Sequence, residues 1–111
     1  MLFPTDRRDD PALLALARRM AADTGANIFL RQQRAIMGRV DSRPGLAAVS
    51  VPTLLIRGDA DGITTPEQQA EMRAIPGSRL VTLPGVGHLP TVEAAEAVTG
   101  LLSTWIDRHG E

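Results

Sequence analysis

The run Val51-Pro52-Thr53-Leu54-Leu55-Ile56 constrains this chain more than any other segment, because it is nearly continuous in apolar residues and carries no alternation. A strand with one wet face alternates between apolar and polar residues. One that is apolar throughout is covered on both faces, as in the parallel sheets of α/β proteins. Pro52 stands at the strand entrance, where a missing N–H is tolerated.

The segments around this run fit that class. Asp9 or Asp10 before Pro11 is a helix start, with the acid as N-cap and proline at the first helical position. Leu13, Leu14, Ala17, Met20 and Ala21 recur at helical spacing, and Thr24-Gly25 ends the helix. A second helical stretch runs from about Asn27 to Met37, but Gln32, Gln33 and Arg34 interrupt the face made by Ile28, Phe29, Ile36 and Met37. Asp41 to Gly45 reads as a loop and Leu46 to Val49 as a short turn. After a Gly58–Thr64 loop, Thr65-Pro66-Glu67-Gln68 is a capping box that opens a helix to about Ala74, stopped by Pro76-Gly77. Arg79 to Leu83 is the second strand. Thr91 is expected to cap a last helix carrying Val98, Leu101, Leu102 and Trp105 on one face, ahead of a polar, solvated tail from Asp107 to Glu111. The fold class is therefore α/β: a βαβα unit with two parallel strands, Val51 to Arg57 and Arg79 to Leu83, a right-handed crossover and N-terminal helices.

Composition narrows the function classes. A chain of 111 residues, 43% hydrophobic and 23% charged, fits one soluble domain with a modest core. A formal net charge of -1 gives no electrostatic reason to expect nucleic acid or an anionic membrane surface as partner. The absence of cysteine excludes disulfides and thiol chemistry. All 12 basic residues are arginine, which excludes lysine nucleophiles and P-loop lysines. Met1 to Asp10 has no apolar signal core and no run approaches the roughly 18 apolar residues of a membrane span, so a cytoplasmic location is expected.

Two positions carry chemistry. Asp61 follows the first strand inside a loop opened by Gly58 and closed at Thr65, so its carboxylate can project above the sheet edge. The competing assignment, an Asx-turn acid that ties its own loop, suits Asp59 better because Asp59 directly follows Gly58. His88 follows Gly85-Val86-Gly87 and precedes Leu89-Pro90, between the second strand and a helix, where glycines let the backbone turn sharply and hold an imidazole over the strand ends. His109 belongs to the solvated tail. An acid that orients a histidine is two thirds of a nucleophile, base and orienter triad.

Pro52-Thr53-Leu54-Leu55-Ile56-Arg57-Gly58-Asp59-Ala60-Asp61, then Thr65-Pro66-Glu67, then Leu83-Pro84-Gly85-Val86-Gly87-His88-Leu89-Pro90 resembles the C-terminal part of α/β-hydrolase-fold enzymes. The resemblance implies that Asp61 is the triad acid and His88 the base, in the chain order nucleophile, acid, histidine. It further implies a helical cap-like segment at residues 1–49, a C-terminal hydrolase subdomain at 50–111, a small-molecule acyl substrate and no metal or organic cofactor. The nucleophile-elbow half of that fold is lacking. No Gly-x-Ser-x-Gly turn occurs, and none of Ser42, Ser50, Ser78 and Ser103 has the flanking glycines; Ser42 lies in a loop that can approach the site.

The expected function is thus the acid and histidine half of a serine hydrolase acting on carboxylic esters, lactones or related acyl compounds, inactive alone. The alternative is a non-catalytic subdomain that persists by self-association through an exposed sheet edge or by binding a partner. A third reading starts from Asp59-Ala60-Asp61-Gly62, which is similar to the phosphatase turn of haloacid-dehalogenase-type enzymes, but Arg57-Gly58 breaks the strand before the first acid and no lysine is present to hold phosphate. A calcium loop fails because its sixth position, Thr64, needs glycine.

Overall fold

The computed structural model describes residues 2–110. Asp10 opens helix α1 (Pro11–Met37): one carboxylate oxygen accepts the N–H groups of Ala12 at 3.0 Å and Leu13 at 3.3 Å. Pro11 follows at the first helical position, where its missing N–H costs nothing. The helix breaks at Gly25, whose φ of 75° and ψ of 163° suit glycine and strain other residues, so two helices meet where Thr24-Gly25 predicts an end. Only the first half reaches the core, through Leu13. Every residue from Ala26 to Met37 is exposed, as expected of a face interrupted by Gln32, Gln33 and Arg34.

A 3₁₀ segment, Arg43–Ala48, leads toward strand β1 (Leu54–Gly58). Helix α2 (Pro66–Glu71) begins with the predicted capping box: Gln68 N donates to the Thr65 hydroxyl at 3.1 Å and Thr65 N to the Gln68 side chain at 2.9 Å. A 3₁₀ turn over Met72–Ala74 ends this helical stretch where the sequence predicts, before Gly77 at φ 70°. Strand β2 (Arg79–Leu83) pairs parallel with β1, in register from Leu54↔Arg79 to Gly58↔Leu83.

The strand expected at Val51–Arg57 is displaced toward its C-terminus. Pro52 has no N–H to give the ladder, the first bond past the strand is Arg79 N to the Thr53 carbonyl at 3.0 Å, and Val51 lies exposed. Nor is β1 covered on both faces. Leu54 to Arg57 are only half-buried, and Gly58 alone is buried, because among the described residues the short helical turn Pro90–Glu93 is the only helix that packs against β1 to any extent.

The C-terminal region also differs from expectation. Thr91 caps nothing: Pro90 takes the first helical position of the short helix α3 (Pro90–Glu93), which makes Leu89 the N-cap. A break at Ala94 separates it from α4 (Ala95–His109). His109 is exposed as expected and ends that helix, its ring centroid 5.5 Å from that of Trp105 with the two planes tilted by 48°. Glu111, the last residue of the tail, and Met1, at the head of the segment without a signal core, lie outside the described residues.

Phe3, Leu13, Ile75, Val86 and Val98 form the buried apolar core. It is small for the chain. The accessible surface is 8045 Å², against about 5,900 Å² for a compact monomer of this mass, and the radius of gyration is 16.0 Å against about 13 Å. The excess is apolar in part: Met37 is 84% and Val40 79% exposed.

At Gly58 the backbone of the neighbouring turn comes close: a Cβ there would collide with the carbonyls of Val86 and Gly87 in the turn after β2. Gly100, on α4, faces open space. Gly58→Ala is therefore expected to lower unfolding free energy by about 3 kcal/mol, whereas Gly100→Ala raises it by about 0.5–1 kcal/mol. Urea denaturation of the two variants beside the wild type measures both, and an unchanged midpoint for Gly58→Ala contradicts the close approach.

Candidate active site

The loop after β1 is laced to the turn after β2. Asp59 N donates to the Leu83 carbonyl at 3.1 Å and Ala60 N to the Val86 carbonyl at 2.9 Å, so the ladder continues beyond the strands. The Asp59 side chain crosses the same gap and accepts the Gly85 N–H at 2.8 Å. Asp59 therefore ties backbone as expected, but the backbone of the opposite loop rather than its own.

The local Asx role falls to Asp61. Its Oδ1 accepts the N–H groups of Ile63 at 2.8 Å and Thr64 at 3.1 Å, while Oδ2 accepts the Thr64 hydroxyl at 2.6 Å and the Gln69 amide at 3.0 Å. Gln69 also donates to the Thr64 hydroxyl at 2.9 Å and receives Arg57 Nε on its amide oxygen. The same carboxylate faces His88, with Nδ1 3.1 Å from Oδ1 and 3.0 Å from Oδ2. Turn acid and histidine partner are one residue, not alternatives.

These contacts set the electrostatics. Burial of the Asp61 side chain, which is 7% exposed, works to raise its pKa. That effect is outweighed by hydrogen bonds from the Thr64 hydroxyl, the Ile63 N–H, His88 and the Thr64 N–H, which together hold the carboxyl far below the usual carboxylate range. An ionised carboxylate only accepts, so the neutral imidazole must carry its proton on Nδ1. Nε2 is then the free basic nitrogen, on a side chain 32% exposed. Such a nitrogen can take and return a proton.

The backbone of His88 is held independently of its ring. His88 N donates to the Leu2 carbonyl at 2.8 Å. Glu93 accepts the flanking N–H groups, from Gly87 at 2.9 Å and Leu89 at 3.1 Å. Arg7 Nη1 donates to the Glu93 carbonyl at 3.1 Å and lies 3.8 Å from its carboxylate. A cleft of about 530 Å³ opens beside this turn, walled by Leu2 and Leu89 and, across it, by Met20, Ala21 and Phe29 around the break at Gly25.

Sequence reasoning thus found the two side chains that meet and missed those that hold them: Thr64, Gln69, Arg57, Glu93 and Leu2. For Thr64 a signal existed, since an Asx turn reaches two and three residues onward. Gln69 sits in the helix that the capping box positions, which is suggestive only once the loop path is known. Ser42 stands exposed before the Arg43–Ala48 segment and makes no hydrogen bond to His88. Among the described residues no group of three or more histidine, aspartate or glutamate side chains forms a metal site.

Asp61→Asn is expected to cost about 1–2 kcal/mol at neutral pH through weakened charge-assisted hydrogen bonds. Because the folded-state pKa of Asp61 is depressed, its contribution is complete above the unfolded value of about 3.9 and is lost as pH falls through the folded value. Thermal melts of wild type and variant should therefore stay apart from neutral pH down to about pH 4 and converge below it. A gap already closed at about pH 5 would contradict a carboxyl held ionised by these bonds.

The model of the family described as "Alpha/beta hydrolase family" matches residues 2–101. Pimeloyl-[acyl-carrier protein] methyl ester esterase of Neisseria meningitidis serogroup B is 36% identical over 70 residues, which cover 62% of this chain and 27% of that protein. Its serogroup A counterpart is 36% identical over the same length, 22% of that protein. A thermophilic esterase from Thermogutta terrifontis, solved with malate bound, superposes with a TM-score of 0.61 at 42% identity over 65% of this chain and 27% of its own. The chain spans about a quarter of the length of these relatives. With a family match over nearly its whole length, and parallel strand ends that carry an acid and a histidine in hydrogen-bond contact, this chain belongs to the alpha/beta hydrolase family.

Proposed function

We propose that this chain supplies the acid and the general base of a serine hydrolase acting on carboxylic esters, lactones or related acyl compounds. The observation that carries this reading is the contact between His88 Nδ1 and the Asp61 carboxylate, which leaves Nε2 free. In this role Asp61 fixes the tautomer of His88 and stabilises its cation, while Nε2 takes the proton of a serine hydroxyl and returns it to the leaving group. The apolar cleft beside the histidine turn suits the hydrocarbon part of an acyl compound. Relatives of this family that carry esterase names favour ester substrates. In the same reading residues 50–111 are the hydrolase subdomain and residues 1–49 a cap-like segment, in the cytoplasm; among the described residues no helix is long and apolar enough to cross a membrane.

The chain alone is expected to be catalytically idle. No serine here has the glycine-flanked turn that presents a nucleophile, and one oxyanion donor by itself is worth roughly 10²- to 10³-fold in rate. Members of a triad left without the nucleophile contribute little. Hydrolysis of p-nitrophenyl butyrate by the purified chain should therefore not exceed that of free imidazole, and His88→Ala and Asp61→Asn should leave it unchanged. A rate well above imidazole that collapses in both variants would overturn the idle-half reading, and Ser42 would be the first nucleophile to test.

A second reading, association without catalysis, draws support from the two-stranded sheet, whose outer edges carry unpaired N–H and C=O groups, and from the exposed apolar side chains. We infer self-association through the edge beside Leu54–Gly58. Light scattering across a wide concentration range should show mass rising with concentration; a strictly monomeric species that melts cooperatively would rule it out. The phosphatase reading loses ground because Asp59, its nucleophile, is engaged by the Gly85 N–H.

A further inference from the structure

Three successive backbone N–H groups, those of Gly87, His88 and Leu89, each find an acceptor, and two of the three share one side chain. Glu93 Oε1 takes Gly87 N at 2.9 Å and Oε2 takes Leu89 N at 3.1 Å, so the carboxylate brackets the histidine. Its side chain has no exposed surface. A carboxylate is withdrawn from water at a large desolvation cost unless N–H groups and a cation receive it, and Arg7 at 3.8 Å completes that set. Glycine at 87 permits the convergence, since a Cβ there would meet the Leu2 carbonyl at 2.6 Å and Glu93 Oε2 at 3.1 Å.

Helix capping accounts for half of this. Leu89 is the N-cap of α3, and Glu93 reaches back to the N-cap N–H as a capping-box glutamate does, from one position later. The Gly87 contact has no such use. It lies beyond the cap, in the Val86–Gly87 peptide, and together with the Leu89 N–H in the His88–Leu89 peptide it holds the chain one peptide before the histidine and directly after it.

We propose that Glu93 is a positioning residue for His88, gripping the backbone on either side so that Nδ1 stays turned toward Asp61. This rests on the acid–histidine reading of the site, and its test avoids activity altogether. Long-range ¹H–¹⁵N spectra of the full ¹⁵N-labelled chain report which ring nitrogen of His88 carries the proton. Wild type should show a single Nδ1–H tautomer. Glu93→Gln can accept only one of the two N–H groups on its oxygen and turns an N–H donor toward the other, so the ring should pass to a mixed population. Glu93→Asp keeps the charge but is one methylene too short to bridge both, and should give the same mixture in a folded chain. Glu96→Gln, an exposed residue on α4, should leave the tautomer unchanged.

A lowered melting temperature with the tautomer intact in both Glu93 variants would make Glu93 a structural cap only and overturn the proposal. Loss of the fold in both would do the same, since the role would then be global. A wild-type ring without the Nδ1–H tautomer would overturn the acid–histidine reading first, which separates the two failures.

Discussion

Leu54–Gly58 and Arg79–Leu83 run parallel and in register, so the chain leaves both strands at one edge of the sheet. A hairpin would have sent the two exits to opposite ends. The bonds that follow, Asp59 to Leu83 and Ala60 to Val86, keep the two loops in step after the strands stop. Gly58 lets them approach to a distance that no other residue allows. The meeting of Asp61 with His88 is thus a consequence of strand direction and of one absent side chain, before any attraction between acid and imidazole is counted.

The attraction itself acts on groups already aimed. Asp61 is oriented by two backbone N–H groups, a hydroxyl and an amide, all independent of the histidine. Each such bond contributes only about 1 kcal/mol net, so their number matters more for direction than for stability. The histidine is likewise aimed by its backbone through Leu2 and Glu93. Two separately fixed partners meet without ordering one another, which is how a tautomer is set with little reorganisation.

Features legible in the sequence are those decided within a few residues. The Asp10 cap, the break at Gly25, the Thr65–Gln68 capping box and the stop before Gly77 are local chemistry, and each stands where residue types place it. The meeting of Asp61 with His88 was readable because parallel strands bring short loops together. The start of β1 was not, since Thr53 joins the ladder only through the partner that Arg79 offers. Thr91 misled because proline at position 90 moves the cap to Leu89, and an acid in a first helical turn gives no hint that it will reach back past a histidine. Burial of β1 was overstated for a different reason: an apolar strand announces covered faces without saying what covers them.

That last point separates two kinds of completeness. Every hydrogen-bond partner of the Asp61 carboxylate, the His88 ring and the His88 backbone N–H comes from residues 2, 61, 63, 64, 69 and 88, and the supports Arg57, Arg7 and Glu93 lie in the same segments. None of these contacts needs a third strand. Coverage of the β1 faces is a separate matter, met by packed helices rather than strands, and Leu54 to Arg57 stay half-buried with the surface well above that of a compact monomer. The acid–histidine pair is therefore set by short-range and loop-to-loop bonds, while the sheet face is left open. A segment packed on that face would add apolar burial, but it would find the pair assembled and would have no part of it to rebuild.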